Sequence, residues 1–337
     1  MPPGRHKSGK TTMQDIADRL GISKVSVSKA MSRKQGVSNA LRRTILATAL
    51  EMGYEGVPAE KVQRFAFVVS QLFFLETDSF YSEMYYQFNQ ECLDLGINLS
   101  LIIVSRSDIE RGEVPAQLLM EDFNGIAVAG ELPDSFLRLL AKPDVPLVLM
   151  DFDSSAVSAV SLLTSNYSWG YWVTQRLIDQ GHRKIGFVGE PGSTNSITDR
   201  YLGYRRALIL NRLPFREDWT LVNNDAVTGL YTPNSTLPED IPTAFVCHCD
   251  MAAYYLLIAL KQRGLQCPRD VSVISFDNTR LAGTCTPPLT SVGIDSRAFA
   301  HKAMELLTHP EKRGSGHRIF MPASLVERES TAAPRTE

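Results

Sequence analysis

The sequence predicts an all-α helix-turn-helix headpiece followed by α/β, the latter as two doubly wound parallel-sheet lobes. Three observations carry this. Residues 12–32 hold two short helical patterns separated by a single glycine, Gly21. From Phe65 onward, apolar runs of strand length alternate with helical patterns, and such β-α-β repetition implies a parallel sheet covered on both faces. The runs are too many for one sheet of ordinary size, so they divide between two lobes.

In the headpiece, Thr12 suits an N-cap, because its hydroxyl can accept from a free backbone N–H of the first turn. Asp15 favours the positive end of the same helix. Met13, Ile16, Ala17 and Leu20 form one apolar stripe. Gly21 ends the helix, since glycine enters a left-handed cap without a Cβ penalty. Ser23 caps a second helix with Val27, Ala30 and Met31 inward, which leaves Lys24, Val25, Ser26, Ser28 and Lys29 facing out. Ser38 caps a third, with Leu41, Ile45, Ala49 and Leu50 on its apolar side and Arg42 and Arg43 on its polar side. The bland reading is a small helical bundle with a solvated basic face.

Charge argues against that reading. Residues 1–64 carry 12 Lys+Arg against 5 Asp+Glu, a net of +7, whereas residues 65–337 carry 23 against 32, a net of −9. A basic head attracts phosphates, and an acidic body discourages nucleic acid elsewhere. Arg5, His6, Lys7 and Lys10 would form a flexible electrostatic arm.

In the body, strands are expected at 65–69, 99–104, 125–129, 146–150, 184–188, 244–247 and 271–276. Helices are expected at 79–95, 114–121, 134–141, 167–180, 198–211 and 250–263. Residues 223–242, rich in Asn, Thr, Pro and Asp, read as a long surface loop.

The 337 residues suffice for two or three domains, and 44% hydrophobic with 21% charged residues is ordinary for a soluble globular protein. No apolar run can span a bilayer, and the basic N-terminus lacks a following apolar segment, so neither a membrane partner nor a secretory signal is expected. Five scattered cysteines fit reduced thiols and a cytoplasmic location. Residues 4–11 match the phosphate-loop pattern, but only three residues precede them, so no strand can support the loop. Cys247, His248, Cys249 and Asp250 are ligand-type neighbours without a second pair at zinc spacing; no metal or cofactor is expected. His182 precedes a strand and reads as structural. No catalytic constellation stands out.

In open α/β sheets, ligands bind beyond the strand C-terminal ends. Asp151, Asp250 and Asp277 follow strands there, and Arg200 lies just inside a helix after another. Three carboxylates and a guanidinium could hydrogen-bond several hydroxyls at once, and Phe80 and Tyr81 could stack on a ring. Each has an ordinary alternative: Asp250 can cap a helix, Asp151 can make a turn, and Phe80 can be core.

Together these residues resemble the LacI/GalR family of transcriptional regulators over nearly the full chain. The resemblance lies in residues 12–32 and 37–54, in 181–189 and 200–207, in 268–277 and 286–292, and in 325–330. It implies a DNA-binding headpiece, a hinge, and a two-lobed effector domain of periplasmic-binding-protein type, forming homodimers or tetramers on near-palindromic double-stranded operators. It sets a basic tail at 1–10, the headpiece at 11–57, a hinge at 58–64, the two-lobed region at 65–330 and a disordered tail at 331–337. Lobe 1 would take about 65–164 and 296–316, lobe 2 about 165–295 and 317–330. By position, Lys24, Val25 and Lys29 match base-reading residues. Thr12, Gln14, Ser23, Ser26, Ser28, Ser38, Asn39 and Tyr54 match the rest of the DNA-contacting set. Arg200 and Asp277 match effector contacts, with Asp151, Asp250, Phe80 and Tyr81 as further candidates.

The implied function is a sequence-specific repressor controlled by a small sugar-like effector in the cleft between the lobes, and not an enzyme. A solute-binding receptor or a carbohydrate-related enzyme with an accessory nucleic-acid-binding head is the alternative. Two departures stand out. Lys29 replaces an arginine, and lysine lacks the rigid two-pronged contact to guanine; Val25 replaces a polar residue and could meet a thymine methyl. The hinge is short, has Val57 where Asn is usual, and lacks the leucine that would wedge into the minor groove.

Overall fold

The structure is a computed structural model, and it describes residues 10–32, 34, 36–56, 63–74, 80–225, 230–231, 237–313 and 318–335. Within these, nothing is described of the side chains of Asn39, Arg43, Lys312 and Arg313. The chain forms two compact units, Met1–Val62 and Gln63–Glu337. Residues 1–9 of the expected tail and 58–62 of the expected hinge lie outside the described residues.

The first unit holds α1 (Met13–Leu20), α2 (Lys24–Met31) and α3 (Asn39–Glu51). Thr12 and Asp15 form a reciprocal capping box: the Thr12 hydroxyl accepts from Asp15 N, and Asp15 accepts from Thr12 N at 2.8 Å. Gly21 closes α1 at φ 65°, the left-handed conformation that glycine adopts at least cost. Ile16, Ala17, Val27, Ala30, Met31, Ile45 and Ala49 make the core. Leu50, expected inside, is instead 67% exposed. The inward stripe of α3 runs through Leu41, Ile45 and Ala49 at four-residue spacing, and Leu50 lies one helical step beyond it.

The second unit contains two six-stranded sheets. Lobe 1 comprises β1 (Arg64–Ser70), α4 (Gln71–Phe74), α5 (Phe80–Leu95), β2 (Asn98–Val104), α6 (Arg106–Arg111), α7 (Ala116–Met120), β3 (Gly125–Ala129), α8 (Asp134–Leu140), β4 (Leu147–Met150) and β5 (Val160–Thr164). Lobe 2 comprises α9 (Asn166–Asp179), β6 (Ile185–Val188), α10 (Asn195–Leu210), β7 (Thr220–Leu221), β8 (Ala244–Cys247), α11 (Asp250–Gln262), β9 (Ser272–Asp277), α12 (Arg280–Thr284) and β10 (Thr290–Ile294). The chain then returns to lobe 1 for α13 (Ser296–Thr308) and β11 (Arg318–Met321), and ends in lobe 2 with β12 (Ala323–Val326).

The strand orders are β11-β5-β4-β3-β1-β2 and β12-β10-β9-β8-β6-β7, parallel throughout except for β12, which runs antiparallel to β10. The central strands of both sheets are buried on two faces, as parallel sheets require. Along β1, Phe65, Phe67 and Val69 enter the core shared with α5 and α13, while Ala66 and Val68 enter the opposite core beneath α8.

Three boundaries change. Residues 318–321, expected in lobe 2, pair in parallel with β5 of lobe 1, so the last crossing falls between Met321 and Ala323. Arg64 opens β1 rather than closing the hinge. Residues 331–335 of the expected disordered tail are tied to lobe 2: Ala332 N donates to Ser272 Oγ at 3.0 Å, its carbonyl meets His182 Nε2 at 2.9 Å, and Arg335 pairs with Asp270 at 2.9 Å.

Helices α9 and α10 cross where glycines face backbone. A Cβ on Gly170 would lie 2.2 Å from Arg200 O, and one on Gly203 would lie 2.1 Å from Tyr167 O. Only glycine permits that approach, and it presses the segment carrying Arg200 against the start of α9.

Candidate functional site

On the first unit, the expected DNA-contacting residues occupy α2 and the helix starts. Ser23 caps α2 and its hydroxyl lies 2.9 Å from that of Ser26; Ser38 caps α3. Lys24, Val25 and Ser28 are exposed, Val25 by 61%, and Ser26 and Lys29 are half-buried. An exposed β-branched apolar side chain on a polar helix face gains nothing within this unit. Lys29 folds beside the turn that follows α2, where a Cβ on Gly36 would come within 3.2 Å of its Nζ. Thr12 is engaged in its capping box, and Gln14 donates to Asp18 at 2.8 Å. Tyr54 is half-buried against the core of the unit, which gives it a packing role. Asn39 begins α3, its side chain outside the described residues.

In the second unit, the strand C-terminal ends of both lobes open onto one cavity of about 520 Å³. All six expected effector residues line it: Phe80, Tyr81 and Asp151 from lobe 1, Arg200, Asp250 and Asp277 from lobe 2. Asp151 and Asp277 hold φ at 70° and 94°. Non-glycine residues in that region cost roughly 1–3 kcal/mol each, and such strain gathers at functional sites.

Arg200 anchors the lobe 2 wall. Its Nε donates to Asn166 Oδ1 at 2.8 Å, and its Nη1 donates to the His248 carbonyl and lies 3.4 Å from Asp277 Oδ1. The guanidinium sits 4.5 Å over the Phe276 ring. Burial pushes the Asp277 carboxyl up to about 7, opposed by Arg200 and assisted by the charges of Asp250 and Asp151. On the lobe 1 wall, Tyr81 donates to Asp151 Oδ2 at 3.0 Å. Burial raises both groups, so the phenol stays protonated. Asp151 Oδ1 is buried without a hydrogen-bond partner among the described residues.

Asp250 has a different task from the one expected. Its carboxylate accepts from Ser275 Oγ at 2.5 Å, Ser291 Oγ at 2.7 Å, Thr279 N at 2.7 Å and Thr279 Oγ1 at 3.0 Å. Four donors fill its lone pairs, so although Asp250 lines the cavity its carboxylate is occupied in fixing the loop after β9, and with it Asp277.

Sequence reasoning missed Tyr231, His248 and Cys249 on the lobe 2 wall. The Tyr231 ring stacks on His248 with centroids 6.1 Å apart, and its hydroxyl lies 3.1 Å from Cys249 Sγ. Burial holds His248 down to about 3, a neutral imidazole, and holds the Cys249 thiol up to about 12. Tyr231 belongs to the stretch expected as a surface loop; that stretch instead returns Asn224, Asp225, Leu230 and Tyr231 to the cavity. Among the described residues, no three His, Cys, Asp or Glu side chains gather as a metal site, and no helix is long and apolar enough to cross a membrane.

Known proteins share both units. The model of bacterial regulatory proteins of the lacI family matches residues 12–56, and that of a periplasmic binding protein-like domain matches residues 174–331. A transcriptional repressor named PurR from Photobacterium profundum is 26% identical over 327 residues, 95% of this chain and 98% of that one. Another from Vibrio parahaemolyticus is 28% identical over 306 residues, 88% and 90% of the two chains. A solved complex of the transcriptional regulator CelR with cellobiose superposes with a TM-score of 0.67 at 25% identity, over 95% of this chain and 100% of that one. The lac repressor dimer bound to operator and the anti-inducer ONPF superposes at 0.70 with 23% identity, over 96% and 100%, a likeness of fold. These relatives are transcription regulators, not enzymes. A helix-turn-helix unit matched by the lacI-family model, followed by a two-lobed unit with a ligand-type cleft, makes the chain similar along its length to LacI-family transcriptional regulators.

Proposed function

We propose that the protein is a cytoplasmic, homodimeric repressor of a near-palindromic operator, and that a neutral, hydroxyl-rich effector of sugar type bound in the cleft controls its DNA affinity. One observation carries the effector class. The cavity sets Asp151 and Asp277 on opposing walls, with Arg200 already engaged by Asn166, His248 and Asp277. Glu190 and Asp225 add further acidic groups to the lining. A phosphorylated ligand would meet carboxylates before free cations, whereas hydroxyls donate to carboxylates and accept from guanidinium at once. Tyr81, Phe80 and Tyr231 supply the aromatic surface that such a ligand packs on.

A nucleobase is the second reading, favoured by aromatic groups on both walls and by relatives named PurR. Thermal-shift titration of the full chain with neutral mono- and disaccharides, sugar phosphates, and purine bases separates the readings. Stabilisation by a neutral saccharide alone supports the sugar class. Stabilisation by a purine base alone, or by a sugar phosphate, overturns it.

A further inference from the structure

We propose that Glu131 is the latch between the cleft walls, the residue through which lobe 1 holds the effector-lining end of α10 in place. Glu131 follows β3 in lobe 1, and its Oε2 accepts from the backbone N–H of Asn195, the first residue of α10 in lobe 2, at 2.7 Å. The bond joins the two walls directly.

Its position gives it leverage. The turn before α10 and the first turns of the helix contribute Gly192, Thr194, Ser196 and Arg200 to the cavity. The start of α10 has its own internal cap, because Thr194 Oγ1 accepts from Ile197 N at 3.2 Å, and Thr198 Oγ1 accepts from Gly192 N at 2.9 Å. The Asn195 N–H is one of the donors that no helix satisfies from within. A carboxylate from the opposite lobe therefore completes the cap, gains from the positive end of the helix dipole, and bridges the cleft with one bond. The bond exists only while the walls are together, so it stabilises the closed arrangement relative to an open one. A small molecule between Asp151 and Arg200 benefits from a latch already formed, and breaking the latch lowers the closed population available to it.

The inference builds on the cleft geometry alone and requires neither operator nor effector, so it stands or falls apart from the functional reading above. The test is hydrogen exchange, followed by mass spectrometry, on the full-length protein and its Glu131→Ala and Glu131→Gln variants without added ligand. If Glu131 latches the lobes, Glu131→Ala accelerates exchange about tenfold both at 192–198 and at the opposing wall around Tyr81 and 150–153, with the α9–α10 crossing around Gly203 unchanged. Glu131→Gln, which keeps an acceptor oxygen, accelerates it less. Acceleration confined to 192–198 reduces Glu131 to a local helix cap and overturns the proposal, as does unchanged exchange in both variants. Should Glu131→Ala fail to fold, Glu131→Gln decides on the same two segments: acceleration at both supports the latch, and any other pattern overturns it.

Discussion

A Cβ on Gly203 would sit 2.1 Å from the carbonyl oxygen of Tyr167, so α10 lies on α9 at backbone contact. Three residues earlier on α10, Arg200 places its guanidinium in the cleft. The tightness of a helix crossing thus sets the position of a cavity-lining charge.

Gly203→Ala should therefore act on both stability and binding. The added methyl meets backbone rather than a side chain that can swing away, so α10 must shift. Overpacking of this kind costs about 1–3 kcal/mol. Urea denaturation should show that loss, and saccharide titration should show weakened binding in the fraction that remains folded. A Gly203→Ala protein as stable as the parent would mean that the crossing is loose.

Arg200→Ala should remove the effector response. It strips Asp277, Asn166 and the His248 carbonyl of a shared donor, and breaking a buried charged pair costs about 3–5 kcal/mol when the remaining charge cannot adapt. Asp277 can adapt by taking up a proton, so the loss should be smaller at pH 5 than at pH 8. Operator binding in gel-shift assays should persist while the shift caused by a stabilising saccharide disappears. A variant that still responds would remove Arg200 from the effector site.

Asp277 carries a pH dependence whose sign is set by burial. Its carboxyl titrates near 7 when folded, against an ordinary carboxylate value near 3.9 when unfolded. Between those values the unfolded chain has released the proton that the folded chain retains, so this residue's contribution to stability falls as pH rises from about 4 to about 7. Asp277→Asn cannot titrate. The stability of the variant relative to the parent should improve across that window and level off above it. Denaturation midpoints at pH 5, 6, 7 and 8 check this, and a constant difference would show that Asp277 ionises normally.

Much of this cleft is legible in sequence because the rule for open α/β sheets is positional. Asp151 and Asp277 end strands whose apolar runs are plain, and Arg200 follows another strand at the start of a helix, so their convergence follows once the strands are assigned. Asp250 shows where such reasoning stops. It stands at the right place, but the donors that occupy it, Ser275, Thr279 and Ser291, come from residues up to 41 positions away, and no local pattern reveals them. Tyr231 hides in a polar stretch with no strand periodicity. Strand β11 is four residues long and partners β5 across more than 150 positions, so its lobe is fixed by pairing rather than by its own pattern. Leu50 lies one helical step off the predicted stripe, which is the resolution that a helix of α3's length offers.

The last prediction concerns Val25 and Lys29 on α2. Val25 is 61% exposed, and as a β-branched apolar residue it can contribute to DNA recognition only by contact, as with a thymine methyl. The Lys29 ammonium lies close to Gly36, in the segment that follows α2. A base-reading Lys29 should make Lys29→Ala lose about 1–3 kcal/mol on the operator and far less on random duplex. A phosphate-contacting Lys29 should lower both affinities equally and reduce the salt slope by about one unit. Val25→Ala should weaken operator binding by about 1 kcal/mol with the salt slope unchanged, because no ion is released by an apolar contact. Gel-shift titrations of both variants across a range of salt concentrations distinguish these outcomes. Equal losses on operator and random duplex for Lys29→Ala would assign sequence reading on α2 to Lys24 and Val25 instead.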